Sequence, residues 1–207
     1  MSQAHPFDRF LETGAVLCVS ADGQMLDPST GRCPPPRVLL PGSFNPAHRG
    51  HWELAQVAAQ HLGHETAFEL SVANVDKPNL TGDEIRRRLT QFHWQVAVWL
   101  THAPRFVEKA ERFPGAVFVV GADTALRIVL PRYYGDDEAK MLAALGRIQE
   151  LDCRFLVACR VDARGECLQA SELPIPGPYR DLFEEIPPER FRWDISSTEL
   201  RALGHLS

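Results

Sequence analysis

The chain has 207 residues, of which 44% are hydrophobic and 24% are charged, enough apolar material for one sizeable core. Its formal net charge of -5 gives no general attraction to nucleic acids or anionic membranes, so a phosphate site has to be a local concentration of hydrogen-bond donors. No apolar run approaches the roughly 20 residues of a membrane span. The five cysteines are an odd number in a chain of ordinary size and include no C-x-x-C pair, so they indicate neither a disulfide framework nor a zinc site. We therefore expect a reduced, cytoplasmic protein that binds neither nucleic acid nor membranes.

Residues 1–36 differ in character from the rest of the chain. They contain one predicted β-hairpin, AVLCVSADGQML, with Asp22 and Gly23 at its turn, and they end in the stiff segment CPPPR. We interpret residues 1–36 as an N-terminal arm or extension and residues 37–207 as the main domain.

From Arg37 onward, strand-like and helix-like segments alternate. The apolar run VLLPGSF precedes a helical segment that ends near Gly63, and further strand–helix pairs continue to the strand CRFLVACRV. This alternation predicts an α/β fold, a Rossmann-like parallel sheet with helices on both faces. The remaining segment contains proline-rich loops, a predicted strand FRWDI and a terminal helix.

The segment GSFNPAHRGH, residues 42–51, connects the first of these strands to the following helix. In an open α/β sheet such a loop lies at the carboxyl edge, where ligands bind, and the free N–H groups of the helix attract anions. Gly42 permits backbone geometry or ligand approach that a side chain would obstruct. If the helix begins near His48, then His48 and His51 share one face above its N-terminus and can donate to phosphoryl oxygens.

Paired histidines on a helix are more often solvated or part of a core, and two ligands without a third do not complete a zinc site. The order of strand, glycine turn, proline and two histidines nevertheless resembles the nucleotidyltransferase superfamily, whose signature is H-x-G-H after G-x-F-[DN]-P. All signature positions are present: Gly42, Phe44, Asn45, Pro46, His48, Gly50 and His51. The resemblance implies transfer of a nucleoside monophosphate from a triphosphate to a phosphate-bearing acceptor, with His48 and His51 contacting the triphosphate. Backbone N–H groups near Ser43 and Phe44 would hold phosphate at the turn.

A second motif, ISSTELR, occupies residues 195–201. Ser196 and Glu199 fit a capping box, and an ordinary capped helix with a surface arginine would also explain the pattern. Members of the superfamily similarly carry the motif I-S-S-T-x-[IL]-R near the C-terminus, and this motif binds the triphosphate and stabilises the leaving pyrophosphate. By this resemblance Ser196, Ser197, Thr198 and Arg201 take that role.

Between the two motifs, the strand FVVGAD places Gly121 and Asp123 at a carboxyl edge. Asp123 also fits an N-cap of a helix beginning at Thr124. The G-A-D sequence matches the nicotinamide-mononucleotide adenylyltransferase branch, which implies nucleotide binding by Gly121 and Asp123. By the same resemblance, Lys77 would lie near the transferring phosphates.

Other polar and aromatic residues do not enter the predicted site. The arginines at positions 86–88 are interpreted as a solvated helix face. Trp94, Trp99 and the pair Tyr133–Tyr134 have the planar rings needed to stack on a base, although core positions are commoner for such residues.

The expected activity is transfer of AMP from ATP, with Mg²⁺, to an acceptor such as nicotinamide mononucleotide, with release of pyrophosphate. Two related alternatives remain open: a cytidylyltransferase that uses CTP, and an adenylyltransferase acting on pantetheine phosphate. A non-catalytic nucleotide-binding module is a third. The sequence leaves the acceptor, the oligomeric state and the role of residues 1–36 undetermined.

Overall fold

The computed structural model describes residues 5–73, 78–92, 95–161, 167–187 and 189–191. These residues contain ten strands, β1 (Leu17–Val19), β2 (Met25–Leu26), β3 (Val38–Pro41), β4 (Thr66–Ser71), β5 (Val98–Thr101), β6 (Val117–Gly121), β7 (Arg154–Ala158), β8 (Arg160–Val161), β9 (Cys167–Leu168) and β10 (Phe183–Glu185). They also contain six α-helices, α1 (Pro6–Thr13), α2 (Arg49–Leu62), α3 (Gly82–Leu89), α4 (Phe106–Arg112), α5 (Ala122–Ile128) and α6 (Glu138–Glu150).

The main sheet has eight strands in the order β10-β7-β6-β3-β4-β5-β1-β2. The strands from β10 to β5 are all parallel, and β8 and β9 form a separate antiparallel pair. The chain starts this parallel part at β3, moves outward through β4 and β5, and returns beside β3 to build β6, β7 and β10. The direction therefore reverses between β3 and β6, and this is the place where open α/β sheets bind ligands.

Helices cover both faces of the sheet. The first core cluster contains α1, α2 and α3, represented by Phe10, Leu54 and Ile85, whereas the second contains α4, α5 and α6. Strand β3 contributes to both, because Leu40 packs in the first cluster and Leu39 in the second, as alternation along a strand requires. The predicted Rossmann-like α/β fold is confirmed.

The N-terminal extension contains the predicted hairpin, with β1 antiparallel to β2 and Gly23 at a φ of +82°. Strand β1 also pairs with β5, so the hairpin continues the main sheet at one edge. Helix α1 buries Phe7 and Phe10 against the first core cluster. The extension is thus packed onto the domain, while its boundary at residue 36 stays a prediction.

The cysteine prediction needs a correction. Cys18 in β1 and Cys33 form a disulfide, with their Cα atoms 6.9 Å apart. Their separation of 15 residues follows no local motif, so the pairing arises from the way the hairpin and the loop after it fold back together. Cys153 is a free, buried thiol.

Two other differences concern the later part of the chain. Strand β10 lies in a segment that the sequence analysis assigned to proline-rich loops, and it exists because Phe183–Glu185 pairs in parallel with β7. The predicted strand FRWDI begins at the last described residue, Phe191, and the rest of it and the terminal helix lie outside the described residues. Within the described ranges, no helix has the length and apolarity needed to cross a membrane.

Candidate active site

The predicted boundary between β3 and its helix is confirmed, because α2 starts at Arg49 with His48 as its N-cap and ends before Gly63. The His48 backbone N–H donates to Nδ1 of His51 at 3.2 Å, and the His51 N–H donates to the His48 carbonyl at 2.9 Å. The two rings stack, with their centroids 3.8 Å apart. Two hydrogen bonds and the stacking of the rings therefore fix the two histidines to each other at the start of α2.

Hydrogen bonding and burial determine how these imidazoles can act. Since Nδ1 of His51 accepts a hydrogen bond, the neutral ring carries its proton on Nε2. Burial and the neighbouring His48 lower the pKa of His51 to about 3, and burial also lowers the pKa of His48. Before a ligand binds, the pair is thus neutral at pH 7, and His51 offers an N–H donor rather than a positive charge.

The low pKa of His51 makes protein stability depend on pH. In the unfolded chain the imidazole has its ordinary value of 6.5, so between pH 6.5 and about 3 the unfolded state binds the extra proton. This contribution to stability is complete above pH 6.5 and is lost as the pH falls. We expect the free energy of unfolding to decrease below pH 6.5 by at most about 1.4 kcal/mol per pH unit for this proton.

Urea denaturation at pH 7, 6 and 5 measures this effect. The His51→Gln variant should show a shallower loss of stability than the wild-type protein over the same range. Equal slopes for the two proteins would show that His51 titrates normally in the folded state.

Phe44 gives the loop its shape. The residue has a positive φ of +45° and is 1% exposed, and its ring contacts His51 edge-on at a centroid distance of 5.0 Å. A Cβ atom at Gly42 would lie 2.6 Å from the Phe44 ring. Gly42 is therefore required by packing within the loop, and its contact with a ligand stays a prediction.

Helix α3 and the turn after it hold the loop backbone. Arg88 donates from Nη1 to the Ser43 carbonyl at 2.7 Å, and Arg87 donates to the Asn45 side chain at 3.0 Å. Gln91 donates to the Phe44 carbonyl at 2.9 Å and accepts from the Ala47 N–H at 2.7 Å. The interpretation of residues 86–88 as a solvated face is wrong for Arg88, which is only 7% exposed. No local pattern marks this arginine, because its partner lies 45 residues away.

A cleft of about 410 Å³ opens beside this loop at the carboxyl edge of the sheet. Gly42 and Ser43 form part of its wall, and His48 and His51 are not among its lining residues. Seven residues with charged or aromatic side chains contribute to the other walls: Glu69, Arg105, Phe106, Lys109, Arg127, Tyr133 and Tyr134. The structure thus joins the predicted phosphate turn to a pocket of ordinary size for a small-molecule ligand.

The cleft is also lined by a buried ion pair that the sequence analysis did not identify. Nζ of Lys109 lies 2.9 and 2.8 Å from the carboxylate oxygens of Glu69 and donates to the Ala103 carbonyl at 2.7 Å. The Thr101 hydroxyl donates to the same carboxylate at 2.5 Å. Glu69 is fully buried and Lys109 is 4% exposed. Each charge is therefore compensated by its partner and by hydrogen bonds.

The other predicted residues divide into two groups. Gly121 ends β6 and is the N-cap of α5, and Asp123 lies in the first turn of that helix, which begins two residues earlier than predicted. Strands β3 and β6 are neighbours, so both residues lie at the same sheet edge as residues 42–51, called the histidine loop here. Five predicted residues lie outside the described residues: Lys77, Ser196, Ser197, Thr198 and Arg201.

The structure also distinguishes among the aromatic residues considered for stacking on a base. Trp99 is 2% exposed and packs against Phe113 in the core, so it is not available for stacking on a base. Trp94 lies outside the described residues. Tyr133 and Tyr134 both line the cleft, and the Tyr134 hydroxyl donates to the Ile128 carbonyl at 2.9 Å.

Comparison with known proteins places this site in a family. The cytidylyltransferase-like family model matches residues 39–203, a range that contains both the histidine loop and the ISSTELR segment. A search of curated proteins finds no match. Since the family match covers most of the chain and the HxGH signature lies at the reversal point of the sheet, the chain belongs to the cytidylyltransferase-like family of nucleotidyltransferases.

Proposed function

We propose that the protein transfers AMP from ATP to a small phosphorylated acceptor, such as nicotinamide mononucleotide, and releases pyrophosphate. The family supports nucleotidyltransfer in general. The observation that supports this function best is the neutral, stacked pair of His48 and His51 at the N-terminus of α2, beside an open cleft.

In this reaction the acceptor phosphate attacks the α-phosphorus in line, and the protein positions two anions that repel each other. Nε2–H of His51 donates to an oxygen of the transferring phosphoryl group, whose negative charge grows in the transition state. Ser43 and Phe44 contribute backbone N–H groups, which have no hydrogen-bond partner within the described residues. These donors suit an anion at the start of α2.

The remaining roles follow the superfamily resemblance. Ser196, Ser197, Thr198 and Arg201 hold the β and γ phosphates, and Lys77 lies near the transferring group. Gly121 and Asp123 contact the nucleotide. Within the described residues no three His, Cys, Asp or Glu side chains converge as metal ligands. In the proposed reaction Mg²⁺ would be held largely by the triphosphate and would neutralise part of its negative charge.

The lining of the cleft supports the proposal that the acceptor binds there. Arg105 and Arg127 line the cleft and carry the guanidinium groups that bind phosphate, and Arg105 also pairs with Glu108 at 2.6 Å. Tyr133 adds an aromatic ring, and the Arg132 guanidinium lies over this ring at 4.8 Å. These side chains favour an acceptor that combines a phosphate with a flat heterocycle, as nicotinamide mononucleotide does.

Pyrophosphate release tests the proposal. The protein is incubated with Mg²⁺, either ATP or CTP, and each of three acceptors: nicotinamide mononucleotide, pantetheine phosphate and an alcohol phosphate. We expect release with ATP and nicotinamide mononucleotide. Release only with CTP would assign a cytidylyltransferase, and release only with pantetheine phosphate would assign a different adenylyltransferase. Thermal stabilisation by nucleotide without any release would assign a binding module.

A further inference from the structure

We propose that Arg88 and Gln91 are positioning residues for the nucleotide-binding loop, defined here as residues 42–47. They hold the Ser43 and Phe44 carbonyl groups on the α3 side, so that the Phe44 N–H faces the anion. This inference rests on the proposed function, because it assigns the loop to phosphate binding.

The burial of Arg88 makes its position specific. Its Nε donates to Oε1 of Glu84 at 2.7 Å, and its Nη1 donates to the Ser43 carbonyl at 2.7 Å. Hydrogen bonds from Arg87 and Arg88 lower the pKa of Glu84 to about 2, so the carboxylate is ionised at neutral pH. An arginine that is only 7% exposed needs such partners. Within the described residues its guanidinium has two, the Glu84 carboxylate and the Ser43 carbonyl.

Gln91 forms hydrogen bonds with the loop backbone at two points. Its amide N–H donates to the Phe44 carbonyl at 2.9 Å, and its amide oxygen accepts from the Ala47 N–H at 2.7 Å. One side chain thus binds both ends of the four-residue segment 44–47. It fixes the backbone on both sides of the Asn45–Pro46 bond.

Because the peptide group is planar, the hydrogen bond from Arg88 to the Ser43 carbonyl also determines where the Phe44 N–H points. In a planar trans peptide the C=O and N–H point to opposite sides. Because the Ser43 carbonyl faces Arg88, the Phe44 N–H of the same peptide group points away from α3. The Phe44 N–H makes no hydrogen bond within the described residues, which leaves it available to an anion.

The conformation of Phe44 needs this support. A φ of +45° is unusual for a residue with a side chain, and such a conformation persists only when its surroundings hold it. The carbonyls on both sides of the Phe44 α-carbon, those of Ser43 and Phe44, are the atoms that Arg88 and Gln91 bind.

The three consecutive arginines of α3 provide a matched experiment. Arg86 binds Asp83 at 3.1 Å and lies over the Phe7 ring, and it makes no hydrogen bond to the loop. Arg88→Lys keeps the charge, but a single ammonium lacks the fork that reaches Glu84 and Ser43 together. Arg86→Lys makes the same chemical change without touching the loop. Gln91→Met removes both hydrogen bonds at similar length.

We expect Arg88→Lys and Gln91→Met each to lower kcat/KM for the triphosphate by about 10- to 100-fold, with Arg86→Lys within about twofold of the wild type. Thermal unfolding gives the folded fraction of each variant at the assay temperature. A purely structural role would lower the amount of active protein and leave KM for the triphosphate unchanged, whereas a positioning role raises KM or lowers kcat of the fully folded protein. Wild-type kcat/KM in folded Arg88→Lys and Gln91→Met, or an equal loss in Arg86→Lys, would overturn the inference.

The outcome separates this inference from the proposed function. If the wild-type protein releases no pyrophosphate with any substrate pair, the proposed function fails. The inference is then read from calorimetric binding of ATP and of inorganic pyrophosphate. It still expects about tenfold weaker binding in Arg88→Lys than in Arg86→Lys. Equal affinities, or no binding to the wild-type protein, would refute it.

Discussion

Replacement of His51 by alanine is expected to lower the turnover number by about two to four orders of magnitude, with only a small loss of stability. The expected loss follows from the geometry of the imidazole. Its Nδ1 accepts from the His48 N–H, so Nε2 carries the proton that can be donated to a phosphoryl oxygen. Because burial lowers the pKa of His51 to about 3, this donor persists through the neutral range. Steady-state pyrophosphate release, with folding checked by thermal unfolding, provides the measurement.

The same helix supplies the control for His51. His61 lies in the last turn of α2, with Nε2 2.7 Å from Glu184, far along the helix from residues 42–47. His61→Ala should keep near-normal turnover. His51→Gln retains a side-chain N–H donor and should be more active than His51→Ala. Near-normal turnover in folded His51→Ala would remove this imidazole from the mechanism.

The parts of the fold that could be predicted are those specified by local sequence. The alternation of apolar strands and amphipathic helices gives the layered α/β architecture, and Gly63 with its positive φ of +69° marks the end of α2. Strand β10 could not be predicted, since three residues, Phe183–Glu185, become a strand only by pairing with β7. The pairing of β1 with β5 likewise depends on contact between distant segments.

The candidate site likewise has a part that the local sequence predicts and a part that it does not. The histidine loop was predictable because its glycine, proline and histidines are close together in the sequence and determine the turn and the helix start. Arg88 and Gln91 were not, because their loop partners lie 45 and 47 residues away. Glu69 and Lys109 are 40 residues apart and each occupies a position that apolar residues could fill, so only the folded structure shows that they pair.

The buried ion pair leads to the largest expected effect on stability. Lys109→Met should lower the free energy of unfolding by about 3–5 kcal/mol, because it leaves the fully buried Glu69 carboxylate without the cation that compensates it. Urea denaturation at pH 7 measures the change. Lys140 offers a matched control, since its ion pair with Asp137 spans 3.2 Å at the surface and its side chain is 71% exposed. Lys140→Met should cost no more than about 1 kcal/mol.

A double variant distinguishes the charge from the packing. Glu69→Gln combined with Lys109→Met removes both charges and keeps an amide oxygen that can accept from the Thr101 hydroxyl. It should therefore be more stable than Lys109→Met alone, because the unpaired carboxylate is the main cost. If the double variant is as unstable as the single one, the loss comes from packing of the lysine chain. If Lys109→Met is as mild as Lys140→Met, the ion pair does not stabilise the wall of the cleft.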